Sequence, residues 1–389
     1  IVMYLARDPL MSVFKLKDEY GLFFLSLPLT FIQLNRDYFG SVLQADLRLK
    51  TQVFVYLFAR LAQILSLLLF GSKRYGVFGA IASLYVGDAL SLLAFGAATL
   101  KYYKLNLDRS VISFAKDTIR FSSVIQIGSI AAFLNKSLDT FMVDAFMSRD
   151  ELAVYNYASK FAIMILLFGN SISAVTFPKL TKAFSTNSAQ DVHRIYSVCL
   201  NFSFFSLSVF SLSLVFHFEQ LIGLILPNVY IRAFSPMIIL LAGLVLFGSY
   251  ASVGTIFTSK GSPGYSAITS WLSLGVITLL GVTLTPRFGV VGIALATSIS
   301  FFFRGITGMM LTEMRIGTNY NYTRLSICYL LLILAGGLGM AASILVKELV
   351  ILGFACTVIW VLFDDADRSY VRRKLSRIKL VSHYKTRVR

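Results

Sequence analysis

Long apolar runs separated by short polar connections occupy the chain from residue 20 to residue 364. An α-helix rises about 1.5 Å per residue, so about 20 apolar residues cross the roughly 30 Å hydrocarbon core of a bilayer. Eleven runs come close to this length, and each predicts a transmembrane helix. They lie at about 20–44, 51–71, 76–99, 117–147, 151–178, 195–217, 234–258, 263–285, 289–314, 325–346 and 348–364.

The pattern within and between these runs favours an all-α integral membrane protein. The apolar residues are continuous and do not alternate with polar ones, as strands of a membrane barrel would require. The connections are mostly shorter than fifteen residues, so neighbouring helices are expected to pack antiparallel. Small residues at 294–298 and 336–339 predict places where helix backbones approach closely.

Composition supports this class and excludes several functions. The 389 residues are 57% hydrophobic and 14% charged, which leaves too little polar surface for a soluble protein of this size. The cysteines and histidines are scattered, without metal-ligand spacing or a catalytic arrangement. We therefore expect no metal site, no cofactor and no enzyme activity. The net charge of +17 is carried by connections and the C-terminal tail, so nucleic acid is not an expected partner.

The distribution of lysine and arginine predicts the orientation. Connections on one side carry 21 of these residues, those on the other side carry 9, and six lie within predicted spans. Basic connections stay in the cytoplasm. The sequence therefore predicts a multi-pass protein of the cytoplasmic (inner) membrane with a cytoplasmic C-terminus, whose basic tail contacts anionic lipid headgroups.

Ionisable residues occur inside the predicted hairpin formed by runs 117–147 and 151–178. Asp139 lies about ten residues before the turn and Lys160 about ten after it, which predicts a contact or a shared water between them. Lys136 lies on nearly the same face as Asp139, and Asn135 and Asn156 extend the two polar stripes. Two interpretations stay open: these groups line a cavity, or they form a buried clamp without a ligand.

A second group of charges lies in the first half of the chain. Arg60 and Asp88 are both mid-span and could pair at the midplane, with Arg36 lining the same space. Arg120 and Arg304 lie in or near the inner halves of their runs, where they either face a cavity or extend to lipid headgroups. An excess of cations within spans favours a cavity that accepts an anion, and guanidinium groups suit phosphate. The six basic residues within spans are Arg36, Arg60, Arg120, Lys136, Lys160 and Arg304.

Four stretches carry a resemblance to a known family. They are Asn135-Lys136-Ser137-x-Asp139, the turn at 150–155, Phe177-Pro178-Lys179-Leu180 and the junction at 43–50. With this order and spacing, the chain resembles the polysaccharide flippases of the multidrug/oligosaccharidyl-lipid/polysaccharide exporter superfamily, in particular O-antigen and capsule repeat-unit transporters. Ala153 replaces the glycine expected in the turn.

The resemblance implies a two-lobed architecture. The family has fourteen spans, in two six-helix lobes and two additional helices, and the eleven runs match its fourth to fourteenth spans. The first three spans are then absent, and the N-terminal lobe is incomplete. The implied divisions are a remnant of the N-terminal lobe at 1–100, a cytoplasmic linker at 101–116, a C-terminal six-helix lobe at 117–314, two further helices at 325–364 and a basic tail at 365–389.

The resemblance also implies a function. Members move a polyprenyl-diphosphate-linked oligosaccharide across the membrane by alternating access, with a cationic cavity holding the diphosphate and the glycan. The expected partners are this substrate, membrane lipids and proteins of glycan assembly such as a polysaccharide polymerase. On this interpretation Lys136 and Lys160 face the substrate or form pairs. Asp139 either fixes the lysines or binds a proton or cation.

Two other functions stay open at this level. A multidrug or small-molecule antiporter of the same superfamily would export cations and would need an acidic cavity, whereas the charges here are mainly basic. A membrane-embedded enzyme of glycan assembly, such as a polymerase or ligase, would need a long outer loop with catalytic residues. No connection between the predicted spans reaches such a length.

Overall fold

The computed structural model describes residues 20–46, 48–70, 76–102, 110–225, 227–340 and 342–363. Within these ranges the chain is helical, with short connections and no β-strand. A 3₁₀ segment, Asn228–Ala233, and a single turn, Ile256–Ser259, accompany the longer helices. Those are α1 (Tyr20–Ala45), α2 (Leu49–Phe70), α3 (Gly76–Tyr102), α4 (Ser110–Phe146), α5 (Arg149–Ile163), α6 (Leu166–Ser185), α7 (Ala189–Ile225), α8 (Phe234–Ala251), α9 (Gly264–Ile316), α10 (Tyr322–Met340) and α11 (Ile344–Leu362).

The helices follow the eleven predicted runs, with two differences. The run 151–178 forms two helices, α5 and α6, separated at Met164 and Ile165. The runs 263–285 and 289–314 join in α9, which bends at Gly289 with φ of 61° and ψ of −140°, a conformation that glycine tolerates. The hydroxyl oxygens of Ser273 and Ser300 lie 2.7 Å apart. The two arms of α9 therefore fold back on each other as an antiparallel hairpin.

The fold class predicted from the sequence is confirmed: the chain is an all-α, multi-pass membrane protein. Eight helical segments among the described residues are long and apolar enough to cross a bilayer, and both arms of α9 count as one segment in that number. The prediction of eleven crossings stays a prediction.

The chain divides into two compact units, Ile1–Val111 and Ile112–Arg389. Their boundary lies within the predicted linker at 101–116, and the other predicted divisions stay predictions. The basic tail predicted at 365–389 lies outside the described residues.

The first unit contains α1, α2 and α3. Helix α3 packs against both other helices. The rings of Tyr56 on α2 and Phe95 on α3 meet edge to face, with centroids 4.9 Å apart. Phe95 and Leu43 of α1 are fully buried. Because α3 packs against both other helices, polar side chains on α3 are the most enclosed in this unit.

The second unit is built around α8, which contacts α5, α6, α7 and α9. Close approach of α8 and α9 depends on Gly243, where a β-carbon would lie 2.2 Å from the carbonyl oxygen of Ser298. The backbone N–H of Gly243 also donates to the Ser298 hydroxyl, at 3.0 Å. The close packing predicted for residues 294–298 is thus confirmed, and it brings the polar residues of α9 into the interior of the unit.

The turn between α4 and α5 is fixed by a capping box. The Ser148 hydroxyl accepts a hydrogen bond from the Glu151 N–H, and the Glu151 carboxylate accepts one from the Ser148 N–H, both at 3.3 Å. The Ser-x-x-Glu spacing is the usual sequence signal for this arrangement. The capping box determines where α5 begins, and so which residues of α4 and α5 lie at the same depth.

Candidate functional site

A buried ion pair lies within the first unit. The Asp88 carboxylate on α3 accepts a hydrogen bond from the Gln33 side chain at 2.8 Å and pairs with the Arg36 guanidinium, both on α1. The Asp88 side chain is 2% exposed and that of Arg36 is 11% exposed. Arg36 also contacts Asp37, at 2.8 Å. The two carboxylates neutralise this arginine, so the cluster forms a brace between α1 and α3.

The predicted pairing of Arg60 with Asp88 is wrong. Arg60 is exposed and donates to Gln63, one turn further along α2. Both residues are mid-span, but the Asp88 side chain contacts α1. Equal depth in the membrane does not determine which neighbouring helix a side chain faces. The sequence also gave no signal for Tyr56, which interacts electrostatically with Arg36, Arg60 and Asp88.

A second buried carboxylate lies in the second unit. Asp139 on α4 is 4% exposed. It accepts hydrogen bonds from the Tyr155 hydroxyl at 2.7 Å and from the Thr140 N–H at 2.6 Å. The Tyr155 oxygen lies 3.4 Å from the hydroxyl of Thr297 on α9. None of the ion pairs among the described residues includes Asp139. Neutral donors, and no cationic side chain, surround this carboxylate.

The direct contact predicted between Asp139 and Lys160 is therefore wrong. Helix α4 ends seven residues after Asp139, and α5 begins six residues before Tyr155. Tyr155 thus lies at the depth that the prediction assigned to Lys160. Lys160 is five residues further along α5, which places it deeper and on a different face, and it is exposed.

A hydrogen-bonded network surrounds Asn135, which is buried on α4 one turn before Asp139. The Asn135 amide donates to the carbonyl oxygens of Ala131 and Ser270, both at 2.9 Å, and accepts from the Ser273 hydroxyl at 3.2 Å. Ser273 also lies against Ser300 on the other arm of α9. The network joins α4 to both arms of α9, and its polar groups satisfy one another inside the unit.

Arg304 extends this network. Its guanidinium donates to the Ser270 hydroxyl at 2.6 Å and lies over the Phe247 ring, with its central carbon 4.9 Å from the ring centroid. No ion pair among the described residues includes Arg304. The Ser270 hydroxyl and the Phe247 ring offset only part of the free-energy cost of removing the guanidinium charge from water. The positive charge of Arg304 is therefore held largely within the protein without a carboxylate in contact.

The Arg304 guanidinium borders a cavity of about 170 Å³ between α4 and the first arm of α9. Four of the residues that line this cavity carry hydroxyl groups: Ser129, Thr258, Ser266 and Ser270. The Ser266 hydroxyl oxygen is buried and makes no hydrogen bond. The hydroxyls of Ser129 and Ser270 donate to backbone carbonyl oxygens, each at 3.0 Å. The Arg304 guanidinium and the Ser266 hydroxyl are therefore the donors with which this cavity suits an anionic oxygen cluster such as a phosphate.

The remaining predicted residues lie elsewhere on the surface of their helices. Arg120 and Lys136 on α4 are exposed, and Asn156 on α5 is half-buried. None of these three residues takes part in the hydrogen bonds that connect Asn135 to Arg304. A role for them in binding stays a prediction.

Several residues of the site were missed at the sequence level. Tyr155 donates to Asp139 and contacts Thr297. Ser270, Ser273 and Ser300 connect Asn135 to Arg304. A signal existed in the spacing of the hydroxyl residues, because Ser270 and Ser273 are one turn apart, as are Ser300 and Arg304. When the runs 263–285 and 289–314 fold back on each other about residues 286–289, these two pairs lie side by side. Within the described residues no cluster of three or more His, Cys, Asp or Glu side chains could hold a metal ion.

Comparisons with known proteins agree with this architecture. Residues 4–184 match the family described as polysaccharide biosynthesis protein. The chain is 22% identical over 295 residues to the probable low-salt glycan biosynthesis flippase Agl15 of Haloferax volcanii, covering 74% of this chain and 60% of that protein. It is 24% identical over 204 residues to the capsular polysaccharide biosynthesis protein CapF of Staphylococcus aureus, covering 52% and 51% of the two chains.

Among solved structures, the chain is similar to the lipid II flippase MurJ in an inward closed conformation. The TM-score is 0.60 at 16% identity, and the match covers 92% of this chain and 78% of that one. This likeness concerns the fold. The chain spans between about half and two thirds of the length of the two curated relatives. The resemblance to polysaccharide flippases of the exporter superfamily, suggested by the sequence, is confirmed.

Proposed function

We propose that the protein is a flippase that moves a polyprenyl-diphosphate-linked oligosaccharide across the cytoplasmic membrane by alternating access. The names of the relatives support this proposal, since one is a probable glycan biosynthesis flippase and another a capsular polysaccharide biosynthesis protein. The observation that carries it in this chain is Arg304. Its guanidinium lies within a membrane-spanning unit and contacts the Ser270 hydroxyl and a cavity, but no described carboxylate.

The substrate chemistry explains why such a protein is needed. Diphosphate and sugar groups lose their hydrogen bonds with water when they enter hydrocarbon, at a cost of several kcal/mol for each unsatisfied polar group and more for a charge. A cation held in a cavity beside a hydroxyl donor replaces part of that hydration. Arg304 and the Ser266 hydroxyl would bind one phosphate of the diphosphate, while the polyprenyl chain stays in the lipid.

The exposed cations have a place in the same proposal. Arg60, Arg120, Lys136 and Lys160 are exposed on helices that would otherwise face lipid, where a charge is costly. We assign them to surfaces that meet the substrate headgroup during transport. The Arg36–Asp88 pair has both charges neutralised, and its proposed role is to hold α1 and α3 together.

The proposed orientation follows from the charge distribution. The basic connections and the C-terminus lie in the cytoplasm, so the substrate is taken up on that side. A polysaccharide polymerase and other glycan-assembly proteins are the proposed partners on the two sides of the membrane.

Complementation tests this function. The complete gene is expressed in a strain that lacks its own polysaccharide flippase, and surface glycan is measured with a glycan-specific antibody. We expect export to return with the wild-type protein and to fall with Lys160→Ala and Arg60→Ala, since both remove cations assigned to the headgroup path. The control is Arg232→Ala, in the connection between α7 and α8. Normal membrane expression of the wild-type protein without any surface glycan would contradict the proposed function.

Asp139 is the proposed position of the coupling ion. A buried carboxylate without a cationic side chain is stable when it carries a proton or holds a small cation. The Tyr155 oxygen lies 2.7 Å from the Asp139 carboxylate and 3.4 Å from the Thr297 hydroxyl, and these oxygens are the proposed ligands of a small cation. The proton and the monovalent cation remain alternatives that the test distinguishes.

Replacing Asp139 with Asn tests this assignment. The asparagine keeps the size and the hydrogen bond with Tyr155 but loses the charge. We expect uptake driven by a proton or sodium gradient in proteoliposomes to fall to the level measured without a gradient, while downhill exchange persists. Asp144→Asn, at an exposed site on the same helix, is the matched control. Full gradient dependence in Asp139→Asn would exclude the assignment.

A further inference from the structure

A second polar cavity in the second unit lies apart from Arg304, at the end of the unit where α7 and α10 begin and α11 ends. Its volume is about 360 Å³. One wall is a face of the first turns of α7, and the opposite wall is the connection from α9 to α10. The lining residues are Gln190, His193, Arg194, Ser197, Asn201, Asn319, Tyr320, Asn321, Arg324 and Leu362.

The floor of this cavity is rigid. Asn201 is 3% exposed, and its amide nitrogen donates to the carbonyl oxygen of Leu362 at 2.9 Å, where α11 ends. Its amide oxygen accepts a hydrogen bond from the Tyr320 hydroxyl. The Tyr320 ring packs edge to face against Tyr196 and Tyr322, with centroids 6.0 and 4.9 Å away. These contacts fix the distance between the two walls before any ligand binds.

The connection from α9 to α10 is also held in a defined shape. Gly317 ends α9 with φ of 70°, and Asn319 has φ of 47°, a left-handed conformation that non-glycine residues adopt at a cost. The Glu313 carboxylate stabilises this backbone by accepting hydrogen bonds from the Thr318 hydroxyl at 2.8 Å and the Asn319 N–H at 3.0 Å. The result places the side chains of Asn319 and Asn321 at the cavity.

The electrostatics of the cavity favour an anion. Arg194 and Arg324 supply two guanidinium groups and His193 an imidazole, and none of the lining residues that the structure describes is a carboxylate. The Asn321 side chain accepts from the Arg324 N–H at 3.3 Å and so caps α10, whose N-terminus adds a positive partial charge. The imidazole Nδ1 of His193 is buried and makes no hydrogen bond. Both arginines also interact with other parts of the chain, but a guanidinium has five donors and can serve two partners.

We infer that this cavity is a second binding site, for the phosphate group of an anionic lipid headgroup or a free phosphate. Arg194 and Arg324 bind the phosphate oxygens from opposite walls, and the amides of Gln190 and Asn319 donate hydrogen bonds to the rest of the headgroup. The volume exceeds that of a phosphate ion, which favours a phosphate with an attached polar group. The site does not depend on the proposed transport function, because it needs only the second unit.

Direct binding to the purified full chain in a non-ionic detergent tests this inference. One titration uses dioctanoylphosphatidylglycerol and another inorganic phosphate, each followed by isothermal calorimetry. We expect Arg194→Gln/Arg324→Gln to weaken binding of the phosphate-bearing probe about tenfold or more, because charge-assisted hydrogen bonds to both guanidinium groups are lost. Arg315→Gln, an exposed arginine at the same end of α9, is the control and should bind as the wild type does.

The two titrations identify the source of the phosphate. Binding of the lipid probe alone assigns the site to a headgroup, and equal binding of inorganic phosphate assigns it to a soluble ion. If the double variant is not monodisperse, Arg324→Lys replaces it, with a smaller but measurable loss of affinity because the two-pronged geometry is lost. Absence of binding of either probe to the wild-type chain, or unchanged affinity in the arginine variants, would overturn the inference.

Discussion

Replacing Arg304 with Gln is expected to reduce substrate binding at least about tenfold without reducing the stability of the protein. The guanidinium would contribute charge-assisted hydrogen bonds to a substrate phosphate, each worth about 1.5–3 kcal/mol. Without substrate, the same charge sits against Ser270 and Phe247 without a described carboxylate partner, which is unfavourable. Glutamine can keep a hydrogen bond with Ser270 and has no charge to bury.

The opposite directions of these two effects distinguish binding from a structural role. Affinity for a lipid-linked diphosphate and the melting temperature are measured on the same preparations. Arg232→Gln serves as the control, because it removes an exposed arginine from the connection between α7 and α8. A lower melting temperature with unchanged affinity in Arg304→Gln would assign Arg304 to packing alone.

Replacing Asp88 with Asn is expected to destabilise the first unit by about 3 kcal/mol. Removing one partner of a buried ion pair leaves the other charge uncompensated, which typically costs about 3–5 kcal/mol. Asp37 also contacts Arg36 and should retain part of the compensation, so we expect the lower end of that range. Denaturation in detergent, followed by a spectroscopic probe on α3, measures the loss.

Two further variants make this result specific. Arg36→Gln/Asp88→Asn removes both charges and should recover most of the stability lost in the single variant, as a double-mutant cycle would reveal. Arg60→Gln should change the free energy of unfolding by no more than about 0.5 kcal/mol, because Arg60 is exposed and makes its hydrogen bond within α2. A large destabilisation by Arg60→Gln would restore it as the partner of Asp88.

Much of the fold could be predicted because hydrophobicity in a bilayer follows one simple rule. A run of about 20 apolar residues forms a helix, and the eleven runs correspond to helices. The break at Met164 and Ile165 could not be predicted, since those residues are as apolar as their neighbours. The fold of α9 about Gly289 was anticipated by the interval between two runs, and the glycine with positive φ makes it possible.

Partners within the site were less predictable than their depths. Depth along the membrane can be counted from a turn, and Asp139 was correctly placed in a buried hairpin. Helix α4 ends at Phe146 and α5 begins at Arg149, so the turn is centred at 147–148. The predicted partner was wrong because the count assumed a turn about two residues later, which moves the matching position on α5 from Tyr155 towards Lys160. A mid-span carboxylate also does not reveal which neighbouring helix it faces, so Asp88 was assigned to Arg60 instead of Arg36.

The serine residues of the site were not predicted for a different reason. Serine and threonine are common in membrane helices, where they often bond to the carbonyl oxygen one turn earlier, as Thr278 does with Leu274 at 2.7 Å. Ser270, Ser273 and Ser300 look the same in sequence but form the connections between Asn135 and Arg304. Only the hairpin geometry of α9 separates these two groups.

The proposed transport function is tested most directly by measuring the movement of one defined substrate across a bilayer. The full-length protein is reconstituted in liposomes that contain a fluorescent polyprenyl-diphosphate oligosaccharide, and a membrane-impermeant quencher reports how fast the inner-leaflet label reaches the outer leaflet. Protein-dependent quenching that is lost in Arg304→Gln and kept in Arg232→Gln is the expected result. Quenching no faster than in protein-free liposomes, with folded and correctly inserted wild-type protein, would contradict the account.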